Sequence, residues 1–93
     1  MKVSIIVPLY NEEKTVIKIL SAVQNEIKKL NEYSFEVIVI NDGSNDNSIK
    51  FLEENLNLYD HLVSLNHNRG KGFAIREGLK KATFNSLGRK YEY

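Results

Sequence analysis

Two short aliphatic runs, Val3–Val7 and Val37–Ile40, constrain this chain more than any other feature. Val3-Ser4-Ile5-Ile6-Val7 does not alternate polar with apolar residues, so it reads as a strand buried on both faces and stopped by Pro8. Phe35-Glu36-Val37-Ile38-Val39-Ile40 reads as a second strand, ended by the turn formers Asn41-Asp42-Gly43-Ser44. Between them, Val16, Ile17, Leu20, Val23, Ile27 and Leu30 fall at helical spacing, with Asn11 as the expected N-cap and Glu12 and Glu13 in the first turn. Ile49, Leu52 and Leu56 predict a second helix opening near Asn45 or Asp46. A third strand follows at His61-Leu62-Val63-Ser64-Leu65. Gly70 to Thr83 then reads as a third helix, with Ala74, Ile75, Gly78, Leu79 and Ala82 on one side. The order βαβαβα predicts an α/β, Rossmann-like, three-layer fold around a parallel sheet. From Phe84 the chain is polar until Tyr91-Glu92-Tyr93, whose alternation is that of an opening fourth strand.

Composition removes several classes of function. Ninety-three residues fit a single domain spanning 1–93, able to bury roughly 60% of its unfolded surface in one core. Thirteen basic residues against twelve acidic ones give a formal +1, without the basic excess of a nucleic-acid binder. The absence of cysteine excludes disulfides and thiolate chemistry and fits a reducing, cytoplasmic setting. No apolar run approaches the ~20 residues that cross a bilayer. The start, Met1-Lys2-Val3-Ser4, enters a strand directly, without the pattern of a signal peptide.

In an open parallel sheet, ligands bind beyond the carboxyl ends of the strands. Three segments converge there: Pro8 to Glu12, Asn41 to Ser44, and Asn66 to Gly72. Asp42 could accept a hydrogen bond from a base or ribose, or could simply build the turn. Tyr10 could stack on a planar base or pack over the helix start. Glu12 could hold a polar ligand or complement the helix dipole. His67-Asn68-Arg69-Gly70-Lys71-Gly72 sets cations and glycines at a helix N-terminus, which suits a phosphate as well as a solvated turn. It is not a Walker A loop, and no G-x-G-x-x-G follows the first strand. His61 and His67 lack partners at metal-ligand spacing and read as structural or surface residues. Neither Asp-x-Asp nor another complete catalytic constellation is present, and a flavodoxin-like or receiver reading lacks its acidic cluster.

Three motifs in order resemble the family 2 glycosyltransferases. Residues 3–12, ending Pro8-Leu9-Tyr10-Asn11-Glu12, resemble the family's opening strand and its P-x-Y-N-E. Ile38-Val39-Ile40-Asn41-Asp42-Gly43-Ser44-Asn45-Asp46 is similar to its second strand and D-D-G-S-x-D. Asn66 to Gly78 resembles the N-x-x-x-G-K-G stretch of the dolichol-phosphate mannosyltransferase-like branch. The likeness covers residues 2–83.

The resemblance implies the nucleotide-binding, N-terminal part of a GT-A fold, with sheet order 3-2-1-4. It implies that Pro8, Tyr10 and Glu12 line the base and ribose pocket, that Asp42 bonds the base, and that Lys71 lies near the nucleotide. Asn41 replaces the family's first aspartate, keeping an acceptor and losing the charge. The implied activity is inverting transfer from a UDP- or GDP-sugar to an acceptor of polyprenyl-phosphate type. In the family a divalent cation, magnesium or manganese, sits on an Asp-x-Asp that follows the next strand, and a later acidic residue acts as base. Neither motif occurs in these 93 residues, so the chain is expected to be a truncated fragment with little activity alone. The alternative is a degenerate interaction module. Without a fourth strand the Val3–Val7 edge would lie open and favour a homo-oligomer, unless Tyr91–Tyr93 covers it.

Overall fold

The computed structural model describes residues 2–82 and the backbone of 89–92. In chain order the elements are β1 (Lys2–Leu9), α1 (Val16–Lys28), β2 (Ser34–Asp42), α2 (Ser48–Glu53), β3 (His61–Leu65), α3 (Lys71–Lys81) and β4 (Arg89–Glu92), with one 3₁₀ turn at Leu56–Leu58. The strands form a single parallel sheet in the order β3-β2-β1-β4, as the resemblance implies.

The unbroken apolar runs are explained by helices on both faces of the sheet. Val7, Leu9, Val37 and Val39 pack with Val16, Leu20 and Val23 of α1 and Leu52 of α2. Ile6, Ile38 and Ile40 point the other way, onto Ala74 of α3. Each such side chain contributes about 1.5–3 kcal/mol on burial, so the central strands carry most of the core's stabilisation. The buried polar pair at the opposite end of these strands is satisfied: Ser4 Oγ donates to Glu36 Oε1 at 2.7 Å, and His61 Nε2 lies 3.7 Å from Glu36 Oε2.

Several boundaries differ from the sequence reading. β1 runs through Pro8 to Leu9, past Ile6, where the pairing with β4 ends; a proline is tolerated near such an edge. β2 continues through Asn41 and Asp42, which pair with Ser64 and Leu65. Helix α1 starts at Val16 with Thr15 as N-cap, so Asn11 is not its cap and Glu12 and Glu13 precede its first turn. Thr15, at φ −125°, departs from helical geometry just before Val16, and Asn11, at φ 51°, lies in the left-handed region.

Helix α2 starts at Ser48 rather than near Asn45, and ends before Leu56, which is 67% exposed. Helix α3 spans Lys71–Lys81, and Leu79 is exposed rather than packed with Ala74 and Gly78. Thr83 and Tyr93 lie outside the described residues. The fourth strand forms at Arg89–Glu92 and pairs with Val3–Ile6. It covers the edge on which the homo-oligomer depended, so that expectation loses its basis.

Candidate functional site

β1 and β2 end side by side, with Leu9 opposite Asn41, and the turns that follow them are tied together. Asn11 N donates to Ser44 Oγ at 2.9 Å, and Asn11 Oδ1 accepts from Asn45 N at 2.9 Å. Glu12 N donates to Ser48 Oγ at 2.9 Å, and Glu13 N to Asp46 Oδ2 at 3.2 Å. Asp46 also accepts from Ser48 N at 2.9 Å. Burial acts to raise the Asp46 pKa, but the hydrogen bonds from Ser48 and the Glu13 amide outweigh it and hold the carboxyl below its ordinary value. Asn41 uses the acceptor it shares with an aspartate: its Oδ1 takes the Ser44 N–H at 3.1 Å, closing the turn after β2.

Asp42, the last residue of β2, is buried. Its Oδ1 accepts the Arg69 N–H at 2.8 Å, and its Oδ2 accepts the Gly70 N–H at 3.0 Å and Asn68 Nδ2 at 3.3 Å. Two carboxylate oxygens offer about four acceptor positions, so room remains for about one further donor. The β3–α3 loop comes this close because residue 43 is glycine, at φ 72°. A Cβ there would stand 2.3 Å from Asn68 N and His67 C. Gly70, at φ 94°, then turns the chain into α3, whose first residue is Lys71.

These segments enclose a cavity of about 270 Å³ lined by Pro8, Leu9, Tyr10, Asp42, Asn68, Gly70 and Lys71. Four of the five residues expected at the site, Pro8, Tyr10, Asp42 and Lys71, meet there. Glu12 is not among the lining residues. Its carboxylate instead accepts Thr15 Oγ1 at 2.7 Å, and its carbonyl takes the N–H groups of Thr15 and Val16. Asn68 was visible only as part of a glycine-rich loop. The signal that could have singled it out is an amide able to donate to Asp42 across the loop. A larger hollow, about 470 Å³, runs along α1 between Lys14, Lys18 and Phe51, and it includes no strand-end residue.

Chemically the cavity offers an exposed ring, an acceptor with limited spare capacity, and a cation at the positive end of a helix. Aromatic faces stack on planar groups, and helix N-termini attract anions. Among the described residues, the divalent cation implied by the resemblance has no fitting ligand set. No group of three acidic or histidine residues suited to a metal occurs among the described residues, and the cavity's one carboxylate already holds a loop. None of the helices described is long and apolar enough to cross a membrane.

The family model described as glycosyl transferase family 2 matches residues 4–85. The undecaprenyl-phosphate 4-deoxy-4-formamido-L-arabinose transferase of Proteus mirabilis is 42% identical over 84 residues, covering 87% of this chain and 26% of that protein. The dolichyl-phosphate beta-glucosyltransferase of Dictyostelium discoideum is 38% identical over 87 residues, covering 82% of this chain and 26% of that protein. The chain thus spans about a quarter of the length of these relatives. Among solved structures, residues 1–349 of S. aureus TarS in complex with UDP superpose with a TM-score of 0.76 at 29% identity, covering 99% of this chain and 27% of that one. The mannosyltransferase PcManGT from Pyrobaculum calidifontis, in complex with GDP-Man and Mn2+, gives 0.70 at 27% identity, covering 87% and 24%.

Proposed function

The chain belongs to glycosyl transferase family 2, and we propose that it binds the nucleotide of a nucleotide-diphospho-sugar. The observation that carries this reading is the cavity at the ends of β1 and β2, where Pro8, Tyr10, Asp42 and Lys71 come together. Tyr10 and Pro8 offer apolar surface to a base, Asp42 an acceptor for a base or ribose donor, and Lys71 a charge for the diphosphate. Glu12 supports the wall behind them through Ser48 and Thr15.

The donor is a UDP- or GDP-sugar, in keeping with the ligands of the similar solved structures. The acceptor is a polyprenyl phosphate, as in the names of the relatives, and the transfer is inverting. A cytoplasmic setting belongs to the same reading, and the absence of cysteine fits it. By itself this chain binds nucleotide and does not transfer sugar, because the described cavity presents no carboxylate besides Asp42 to deprotonate an acceptor hydroxyl.

Isothermal titration of the 93-residue chain with UDP, GDP and their sugars tests the reading. Saturable binding of at least one is expected. No heat with any of them at millimolar ligand would overturn it.

A further inference from the structure

We propose that Asp42 is a positioning residue, whose carboxylate latches the β3–α3 loop onto the end of β2 before any nucleotide arrives. The latch thereby fixes where α3 begins and where Lys71 meets a diphosphate. The role in binding rests on the function proposed above, whereas the latch itself does not.

The geometry favours this over a carboxylate kept only for a base. Both oxygens are engaged by consecutive backbone N–H groups, Arg69 on Oδ1 and Gly70 on Oδ2, with Asn68 Nδ2 added on Oδ2. Bonds from backbone N–H groups to a carboxylate are charge-assisted and stronger than neutral ones. The same Asn68 Nδ2 also lies 3.3 Å from the Asp42 carbonyl oxygen, so the side chain grips both ends of residue 42. Gly43 lets the loop lie flat against β2, where any side chain would meet backbone atoms. On the far side, the Arg69 guanidinium sits 4.4 Å from the centre of the Phe73 ring, so the loop is held from both sides. Gly70, bound through its N–H, lies one residue before Lys71.

Two measurements test this. First, amide hydrogen exchange on the ligand-free chain should show Arg69 and Gly70 at least about tenfold slower than in unstructured peptide. Asp42→Asn should remove that protection from at least one of the two, since its one remaining oxygen cannot replace both acceptors and its NH₂ group faces an N–H, while the core amides of Val7 and Val39 stay slow. Rapid exchange at Arg69 and Gly70 in the unaltered chain would overturn the latch, whether or not any variant folds. So would full retention of their protection in Asp42→Asn.

Second, inorganic pyrophosphate has no base, so an Asp42 that served only base recognition could not help bind it. Removing a negative charge should then strengthen pyrophosphate binding. The latch predicts the opposite, a loss of about fivefold or more in Asp42→Asn. Equal or tighter binding by the variant would overturn the positioning role. Protected loop amides in a chain that takes up no pyrophosphate would support the latch and count against the nucleotide reading instead.

Discussion

Asn11 Oδ1 accepts the backbone N–H of Asn45 at 2.9 Å, so one side chain joins the turn after β1 to the turn after β2. Asn11 can do this because it adopts φ 51°, where asparagine is tolerated better than other residues with a side chain. Asn11→Ala combines the left-handed backbone penalty, about 1–2 kcal/mol, with a lost hydrogen bond of about 0.5–1.5 kcal/mol. Asn11→Gly loses only the second. The urea midpoint should therefore fall in the order wild type, Asn11→Gly, Asn11→Ala. Nucleotide affinity should follow the same order, because Tyr10 precedes this turn directly. Equal midpoints for the two variants would show that the backbone conformation costs nothing.

Gly78 brings α3 close against the sheet. A Cβ there would stand 2.7 Å from Ile6 Cγ2 and 3.4 Å from Ile40 Cδ1. Ile6 is almost fully buried and β-branched, so its methyl has little room to turn away. Helix propensity favours alanine over glycine by about 1 kcal/mol, but overpacking costs about 1–3 kcal/mol. Gly78→Ala should on balance destabilise the protein, read as a lower thermal midpoint. A rise in the midpoint would mean that α3 can lift off the sheet freely.

The carboxyl of Asp46 is held below its ordinary value: burial acts against this, but the hydrogen bonds from Ser48 and Glu13 prevail. A group whose pKa is lower in the folded state stabilises the fold above its unfolded value, near 3.9 for aspartate, and that contribution is lost as pH falls through the folded value. Acidification from about pH 5 to 3 should lower the urea midpoint of the wild type more steeply than that of Asp46→Asn, which has no proton to gain. Parallel pH profiles would show that Asp46 titrates alike in both states.

The parallel sheet was legible because burial on both faces of a strand leaves an unbroken apolar run, as at Ile38-Val39-Ile40, whereas its strand order followed only from the family resemblance. The meeting of Pro8, Tyr10, Asp42 and Lys71 was legible because parallel strands deliver their following loops to one edge. Local hydrogen bonds were not. Leu56 continues the helical spacing of Ile49 and Leu52, yet Asn55 Nδ2 bonds the Phe51 carbonyl at 2.8 Å and Tyr59 Oη the Leu52 carbonyl at 2.8 Å. These satisfy the last carbonyls of α2 and end it. The surroundings of Glu12 were hidden for a similar reason. Ser48 takes its backbone N–H and Thr15 bonds its carboxylate, and only Thr15 is near it in sequence.

The cavity separates a ring from a charge, so its two halves should be separable in binding. Tyr10 is 45% exposed at the rim, and Lys71 opens α3, where its charge adds to the helix dipole. Tyr10→Ala should weaken UDP and uridine by a similar factor, since stacking involves only the base, at about 1–3 kcal/mol as judged from base–aromatic stacks elsewhere. Lys71→Gln should weaken UDP by about threefold to tenfold and leave uridine unchanged, because only the diphosphate carries charge. Raising the salt concentration should shrink the difference between wild type and Lys71→Gln, because an exposed charge pair is screened within about 8–10 Å. Competition titrations with UDP and uridine at two ionic strengths would check both halves. A Lys71→Gln chain that loses uridine as strongly as UDP would place Lys71 against the nucleoside rather than the phosphates.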